Sequence, residues 1–260
     1  MGYVRIQYTV MQKNILVFDS GLGGLTVLLH LQKLLPHERF LYMADNAHMP
    51  YGKFSTDQVK CFVVESIRRV VARMPIKMIV FACNTATNCA SSTVREMFGV
   101  PVGCIEPALK LGAGYTCVVA FITHTTYMQK KYQELRAKYP PIAECASALL
   151  AEWIEKYIQT GDIEYHARIL QTLGPYQVYK PDAVVLGCTH YPLIKKIFQK
   201  EFPNACLLDG GLGTAKQAVR VLEHVGKKTK GRGKVTFVCT KGWFYKQTLK
   251  KLYKRIKKEL

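Results

Sequence analysis

The sequence predicts an α/β protein built on parallel sheets, and three observations carry that expectation. Apolar runs of strand length alternate with longer segments whose apolar residues recur at helical spacing. Runs such as 78–83 and 183–188 have the length of core strands. The side chains best suited to chemistry, among them Asp19, Cys83 and Cys188, come directly after such runs. In parallel sheets covered by helices on both faces, ligands gather at the carboxyl ends of the strands.

The elements follow in order. Residues 3–10 are rich in aromatic and β-branched residues and read either as a short edge strand or as an extension upstream of Met11. Residues 15–18 form the first strong strand, ending in Asp19-Ser20-Gly21-Leu22-Gly23-Gly24. Residues 25–35 are apolar at helical spacing and are closed by Pro36. A strand over 40–44 leads into a polar loop from Asp45 to Ser55, then an amphipathic helix over 56–74 and a buried strand over 78–82. Residues 83–98 begin polar and turn helical. Further strands are expected over 101–105, 116–122 and 183–187, with helices over 126–138, 149–159 and 165–173.

Composition narrows the function classes. With 260 residues, 49% hydrophobic and 21% charged, the chain is long enough for one or two cored domains and is not disordered, collagen-like or low in complexity. No apolar run approaches the ~18 residues of a membrane-spanning helix. No basic segment followed by a long apolar stretch reads as a secretory signal. Nine cysteines, an odd number without close pairing, read as reduced thiols and point to the cytoplasm. Charge is the unusual feature: 37 Lys and Arg against 18 Asp and Glu give a formal +19. From Lys227 onward there are 13 basic residues and one acid, Glu259. Such a field attracts nucleic acid, anionic lipid or a small dianion; a solvated basic helix is the simpler reading. Nothing resembles a zinc finger or an RNA-recognition aromatic motif.

Two segments share a form. Ile79-Val80-Phe81-Ala82-Cys83-Asn84-Thr85 and Val184-Val185-Leu186-Gly187-Cys188-Thr189-His190 each run from an apolar strand through a small residue to Cys and then polar groups. Cysteine is a common core residue, but a polar residue directly after each one favours a loop beyond a strand end. The spacings do not suit metal or redox chemistry: Cys83 and Cys89 are C-x5-C, Cys188 and His190 are C-x-H, and no C-x-x-C occurs. The segment Asp19–Gly24 lacks the Lys of a phosphate-binding loop and is not G-x-G-x-x-G. Its glycines suggest free backbone N–H groups at a helix N-terminus, suited to an anion, with a plain glycine turn as the competing reading. Asp19 taken alone could cap the following helix.

Two matched thiols have a distinct use. Inverting a carbon stereocentre by proton transfer needs a base on one face and an acid on the other, and a thiolate and a thiol can exchange those roles. A free thiol has a pKa of ~8.5, so few are ionised at neutral pH unless a cation or helix N-terminus assists. The carbanion formed needs hydrogen-bond donors on the substrate carboxylate.

At this point the chain resembles the glutamate racemases, a cofactor-independent group within the aspartate/glutamate racemase family. The residues that carry the resemblance are Phe18-Asp19-Ser20-Gly21-Leu22-Gly23-Gly24, Ala44-Asp45-Asn46 with Pro50-Tyr51-Gly52, and Cys83-Asn84-Thr85-Ala86. They continue through Ile105-Glu106-Pro107, Thr123 with Thr126, and Leu186-Gly187-Cys188-Thr189-His190-Tyr191-Pro192-Leu193-Ile194. His190 favours glutamate over aspartate racemases, which commonly carry Glu at that place. The resemblance implies that Cys83 acts on D-glutamate and Cys188 on L-glutamate, with Asp19 assisting Cys83 and with His190 and Glu155 assisting Cys188. Glu152 is the rival to Glu155. Asp19, Ser20, Tyr51, Gly52, Asn84, Thr85, Thr123, Thr126, Thr189 and His190 would hold the substrate, and Asp45 would support them from behind. The other seven cysteines read as packing residues, with Cys89 the nearest to Cys83.

The implied fold is two similar three-layer α/β domains with mainly parallel sheets and the active site in the cleft between them. One would span 1–99 plus 210–260 and the other 100–209. The implied reaction is direct 1,1-proton transfer with no cofactor and no metal, yielding D-glutamate for peptidoglycan. The implied partners are L- and D-glutamate and a second copy of the chain, with no membrane. Two alternatives stand beside it: a racemase of aspartate or another amino acid, and a gyrase- or nucleic-acid-binding role through the basic C-terminal region. The chain departs from the family pattern at Thr240-Lys241-Gly242-Trp243, where Ser/Thr-Gly-Asp is usual, and at Ile122, where Gly is usual.

Overall fold

The computed structural model describes residues 13–225 and 233–259; the edge strand considered over 3–10 lies outside them. The first part of the chain runs β1 (Asn14–Asp19), α1 (Leu25–Leu34), β2 (Arg39–Ala44), α2 (Thr56–Val71), β3 (Ile76–Phe81), α3 (Asn84–Phe98) and β4 (Val102–Cys104). It continues with β5 (Val118–Thr123), α4 (His124–Tyr127), α5 (Lys130–Lys138), β6 (Ala143–Ser147), α6 (Leu150–Thr160), α7 (Ile163–Leu173), β7 (Ala183–Leu186), α8 (Lys195–Glu201) and β8 (Cys206–Asp209). Three elements complete it: α9 (Gly211–His224), β9 (Lys234–Cys239) and α10 (Trp243–Glu259).

The strands form two sheets, ordered β4-β3-β1-β2-β9 and β6-β5-β7-β8, and every pairing is parallel. Helices cover both faces of each sheet, so the fold is the α/β arrangement that the alternation of apolar runs and helical segments predicts. The strand period shows why. In β1, Ile15 and Val17 pack on the side of α1, α9 and α10, while Leu16 and Phe18 pack on the side of α2 and α3. In β7, Val184 and Leu186 meet α6, α7 and α8, whereas Ala183 and Val185 face the layer that holds Leu109 and Tyr132. A strand between two such layers must be apolar at every position, which is what makes it legible in sequence.

Four differences from the expected elements have physical reasons. The strands β6, β8 and β9 escape sequence reading because each lies at an edge of its sheet and is mostly half-exposed, so none needs an apolar run. The helix expected over 126–138 breaks into α4 and α5 at Gln129, whose backbone is extended. The boundary expected between residues 99 and 100 falls before β4, which pairs with β3 in the five-stranded sheet. Cys61 and Cys206, expected to be packing residues, are exposed. Among the described residues no helix is long and apolar enough to cross a membrane.

Candidate active site

Both sheets are doubly wound, and each has one place where neighbouring strands leave in opposite directions. In the five-stranded sheet it lies between β1 and β3, whose ends carry Asp19-Ser20 and Cys83. In the four-stranded sheet it lies between β5 and β7, whose ends carry Thr123 and the Cys188 loop. These two openings face each other across one cavity of about 30 Å³, lined by Ser20, Tyr51, Gly52, Cys83, Asn84, Thr85, Thr123, Cys188, Thr189 and His190 among others. That is room for a water or two. A larger hollow of about 160 Å³ between Asn88, Glu106, Tyr132 and Lys138 contains none of the expected site residues.

Cys83 caps the N-terminus of α3 and its Sγ accepts the Ala86 N–H at 3.4 Å. The Ser20 hydroxyl lies 3.7 Å from the same sulfur. Burial pushes the Cys83 thiol well above its usual range, and the Asp19 carboxylate adds to the shift against the hydrogen bonds from Ala86 and Ser20. Asp19 is itself fully buried, and burial raises its pKa against His190, the Gly21 N–H and the Thr189 hydroxyl. The Gly21 N–H reaches Asp19 Oδ1 at 2.7 Å, and the Thr189 hydroxyl donates to Asp19 Oδ2 at 3.0 Å.

Cys188 stands in a different field. Its Sγ is 3.7 Å from His190 Nδ1, and His190 Nε2 is 2.6 Å from Glu155 Oε2. Burial opposes charge on His190, but hydrogen bonds to Cys188 and Glu155 outweigh it and hold the imidazole well above its ordinary pKa. The other donors to Glu155 are the Leu22 N–H at 3.1 Å, Tyr245 at 2.5 Å and Gln159 at 3.3 Å. Glu155 is therefore the carboxylate on His190, while its rival Glu152 pairs with Lys53 at 2.8 Å.

The glycine-rich turn has another purpose than the free anion cradle expected of it. Its Gly21 and Leu22 N–H groups go to the protein's own carboxylates, Asp19 and Glu155. A Cβ on Gly21 would lie 2.2 Å from Glu155 Oε2, and one on Gly23 would lie 2.5 Å from Thr189 Oγ1 and 2.7 Å from the His190 backbone. These glycines let the two halves touch. Asp19 does not cap α1, whose N-cap is Gly24 with no side-chain bond.

The remaining expected residues fall in two groups. Tyr51, Gly52, Thr85, Thr123 and Thr189 line the cavity together with Asn84. Asn84 donates its Nδ2 to the Gly187 carbonyl across the cleft at 3.0 Å. Its buried Oδ1 has no hydrogen-bond partner, so an acceptor awaits a donor there. Thr126 and Asp45 stand behind the wall. Thr126 is fully buried and accepts from the Thr123 hydroxyl at 2.8 Å. Asp45 accepts from the Tyr51 hydroxyl at 2.7 Å and lies 2.9 Å from His48.

Sequence reasoning missed Gln159 and Tyr245. Gln159 was findable, one helical turn after Glu155. Tyr245 was not, because its partner is 90 residues away in the chain. The Thr240 departure is structural: its hydroxyl accepts the Ala47 N–H at 2.9 Å, and Asn46 bonds the Lys241 backbone, tying the ends of β2 and β9 together.

Residues 30–218 match the model of a family described as Asp/Glu/Hydantoin racemase. A glutamate racemase of Clostridium botulinum (strain Alaska E43 / Type E3) is 34% identical over 86% of this chain and 90% of its own length. The crystal structure of Escherichia coli glutamate racemase with L-glutamate and the activator UDP-MurNAc-ala superposes with a TM-score of 0.83 at 30% identity, covering 94% of this chain and 95% of that one. The glutamate racemase of Francisella tularensis, solved with D-glutamate, gives 0.76 at 26% identity and 94% of each chain.

Proposed function

The chain belongs to the Asp/Glu/hydantoin racemase family and is an amino-acid racemase, an isomerase, and from that premise we propose that it interconverts L- and D-glutamate by proton transfer between Cys83 and Cys188. One observation carries the reading. Two thiols, at equivalent places in two doubly wound sheets, face a single small cavity. Each has its own acid–base neighbours: Asp19 and Ser20 for Cys83, His190 and Glu155 for Cys188.

In the L-to-D direction Cys188, as thiolate, removes the α-proton; the C–H bond breaks, an S–H bond forms and the electron pair stays on Cα. The Cys83 thiol then delivers its proton to the opposite face, leaving a thiolate. The two environments suit this order. Burial and Asp19 keep Cys83 protonated, while a charged imidazole beside Cys188 donates to its sulfur. For D-glutamate the roles reverse. Hydroxyl and amide donors from Ser20, Thr85, Thr123, Thr189 and the Gly52 backbone would bind the carboxylates, where charge develops in the transition state. The free Asn84 Oδ1 would accept from the ammonium group. Opening between 13–104 with 211–225 and 233–259 on one side and 118–209 on the other would admit the substrate, and closure would assemble the pair. Use of the D-glutamate in peptidoglycan belongs to the same proposal.

Circular dichroism of purified protein with each glutamate enantiomer tests it. Optical activity should vanish from both, and Cys83→Ser or Cys188→Ser should each abolish the loss. Activity on aspartate alone would keep the mechanism and change the substrate. No turnover of any amino acid would sink the proposal and move attention to the basic C-terminal region.

A further inference from the structure

We propose that Tyr245 is a positioning residue for proton transfer at Cys188, acting from α10 through Glu155 and His190. The inference rests on the assignment of Cys188 as a proton-transfer group. The geometry is a continuous chain: the Tyr245 hydroxyl donates to Glu155 Oε1 at 2.5 Å, Glu155 Oε2 is 2.6 Å from His190 Nε2, and His190 Nδ1 is 3.7 Å from Cys188 Sγ. Tyr245 does not line the cavity, so it reaches the substrate only through these neighbours.

A carboxylate has two oxygens to fix, and a single bond to His190 leaves it free to swing. In Glu155, Oε2 takes the Leu22 N–H and His190, and Oε1 takes Tyr245 and Gln159. Without Tyr245, Oε1 retains only the 3.3 Å contact to Gln159. Burial, with the nearby Glu155 charge, raises the Tyr245 pKa well above its usual value, so its phenol remains a donor at working pH. The helix that carries it is firmly docked: Leu249 and Leu252 are buried in the core beneath α1, and Tyr253 donates to Gln32 at 2.7 Å. Tyr245 and Leu22 both come from the half built on the five-stranded sheet, while Glu155 and His190 belong to the other. The Cys188 relay is thus completed only when the halves are together.

Tyr245→Phe removes one oxygen and keeps the ring. Partners that orient metal-ligating side chains from behind are commonly worth 10–100-fold, and by the same logic of orientation kcat should fall roughly ten-fold here with KM within about twofold of wild type. The distinguishing readout is isotopic. The relay ends in a direct contact with Cys188 and reaches Cys83 only through the field at Asp19, so proton transfer at Cys188 should slow the more. The effect of deuterium at Cα on kcat/KM should rise for L-glutamate, whose deuteron Cys188 removes, and fall for D-glutamate toward the equilibrium effect of moving deuterium from carbon to sulfur. Tyr253→Phe, which loses a docking bond of the same helix, should show neither change.

Equal isotope effects for the two enantiomers, wild-type kinetics in Tyr245→Phe, or the same asymmetry in Tyr253→Phe would each overturn the inference while leaving the racemase reading standing. Wild-type protein that turns over no amino acid would remove the assignment of Cys188 and this inference with it. If Tyr245→Phe does not fold, 3,5-difluorotyrosine at 245 keeps the ring and strengthens the donor. An isotope-effect ratio that stays at the wild-type value in that protein overturns the inference, and a shifted ratio supports it.

Discussion

Cys83 and Cys188 are the same residue type in opposite electrostatic settings. Cys83 has a carboxylate nearby and little solvent, and burial is the larger influence on it. Cys188 has an imidazole whose pKa the bonds to Glu155 and to the sulfur raise well above its ordinary value against burial. A thiol whose pKa is raised reacts through a thiolate fraction that grows tenfold with each pH unit until its pKa is reached. Iodoacetamide labelling of Cys83 in substrate-free protein, read by peptide mass spectrometry, should therefore be slow at pH 7. It should still be climbing at pH 10. A plateau near the ordinary thiol value of ~8.5 would show that burial does not control this group. Such labelling needs peptide resolution, because exposed Cys61 and Cys206 compete for the reagent.

At the scale of elements, the turn between β1 and α1 is where the two halves touch. Gly21 needs no unusual backbone angle, since only Gly99, Gly161 and Gly242 among the described glycines have positive φ. Its requirement is space: an added Cβ would meet Glu155 Oε2 at 2.2 Å and His190 Nε2 at 3.1 Å. Glu155 cannot retreat cheaply, being buried and bonded to four donors. Gly21→Ala should therefore destabilise the protein by about 1–3 kcal/mol, the usual range for overpacking. It should also reduce kcat at least as much as Tyr245→Phe. Denaturant titration and racemase assays check both, and an Ala variant with wild-type kcat would show that the relay tolerates displacement. The glycines of this turn signal a close approach in the sequence without saying that the other half of the protein makes it.

Across the whole molecule, charge is the prevailing feature. The chain carries a formal +19, and α10 turns Lys250, Lys251, Lys254, Arg255, Lys257 and Lys258 outward while burying Leu249 and Leu252. An anionic substrate approaches such a surface down a potential gradient that salt screens over about 10 Å at 0.1 M. Raising NaCl from 20 to 200 mM should lower kcat/KM for glutamate by roughly two- to five-fold, chiefly through KM. Initial-rate kinetics across that range decide the matter, and a flat profile would assign the basic surface to something other than substrate capture.

The sequence by itself determined the α/β class, the buried strands and both cysteine loops, because strands packed on two faces must be continuously apolar and the polar residues after them stand out. The resemblance carried by its motifs also named Asp19, His190 and Glu155 as candidates, with Glu152 a rival to Glu155. Tertiary structure decided the rest. Glu155 bonds His190 while Glu152 pairs with Lys53, and the 90-residue separation of Tyr245 from Glu155 hid that contact. Edge strands β6 and β8 are half-solvated and so leave little trace in local composition. Hydrophobic periodicity reports which face of an element is buried. Which side chains meet across two sheets depends on how those sheets pack, and no local pattern records that distance.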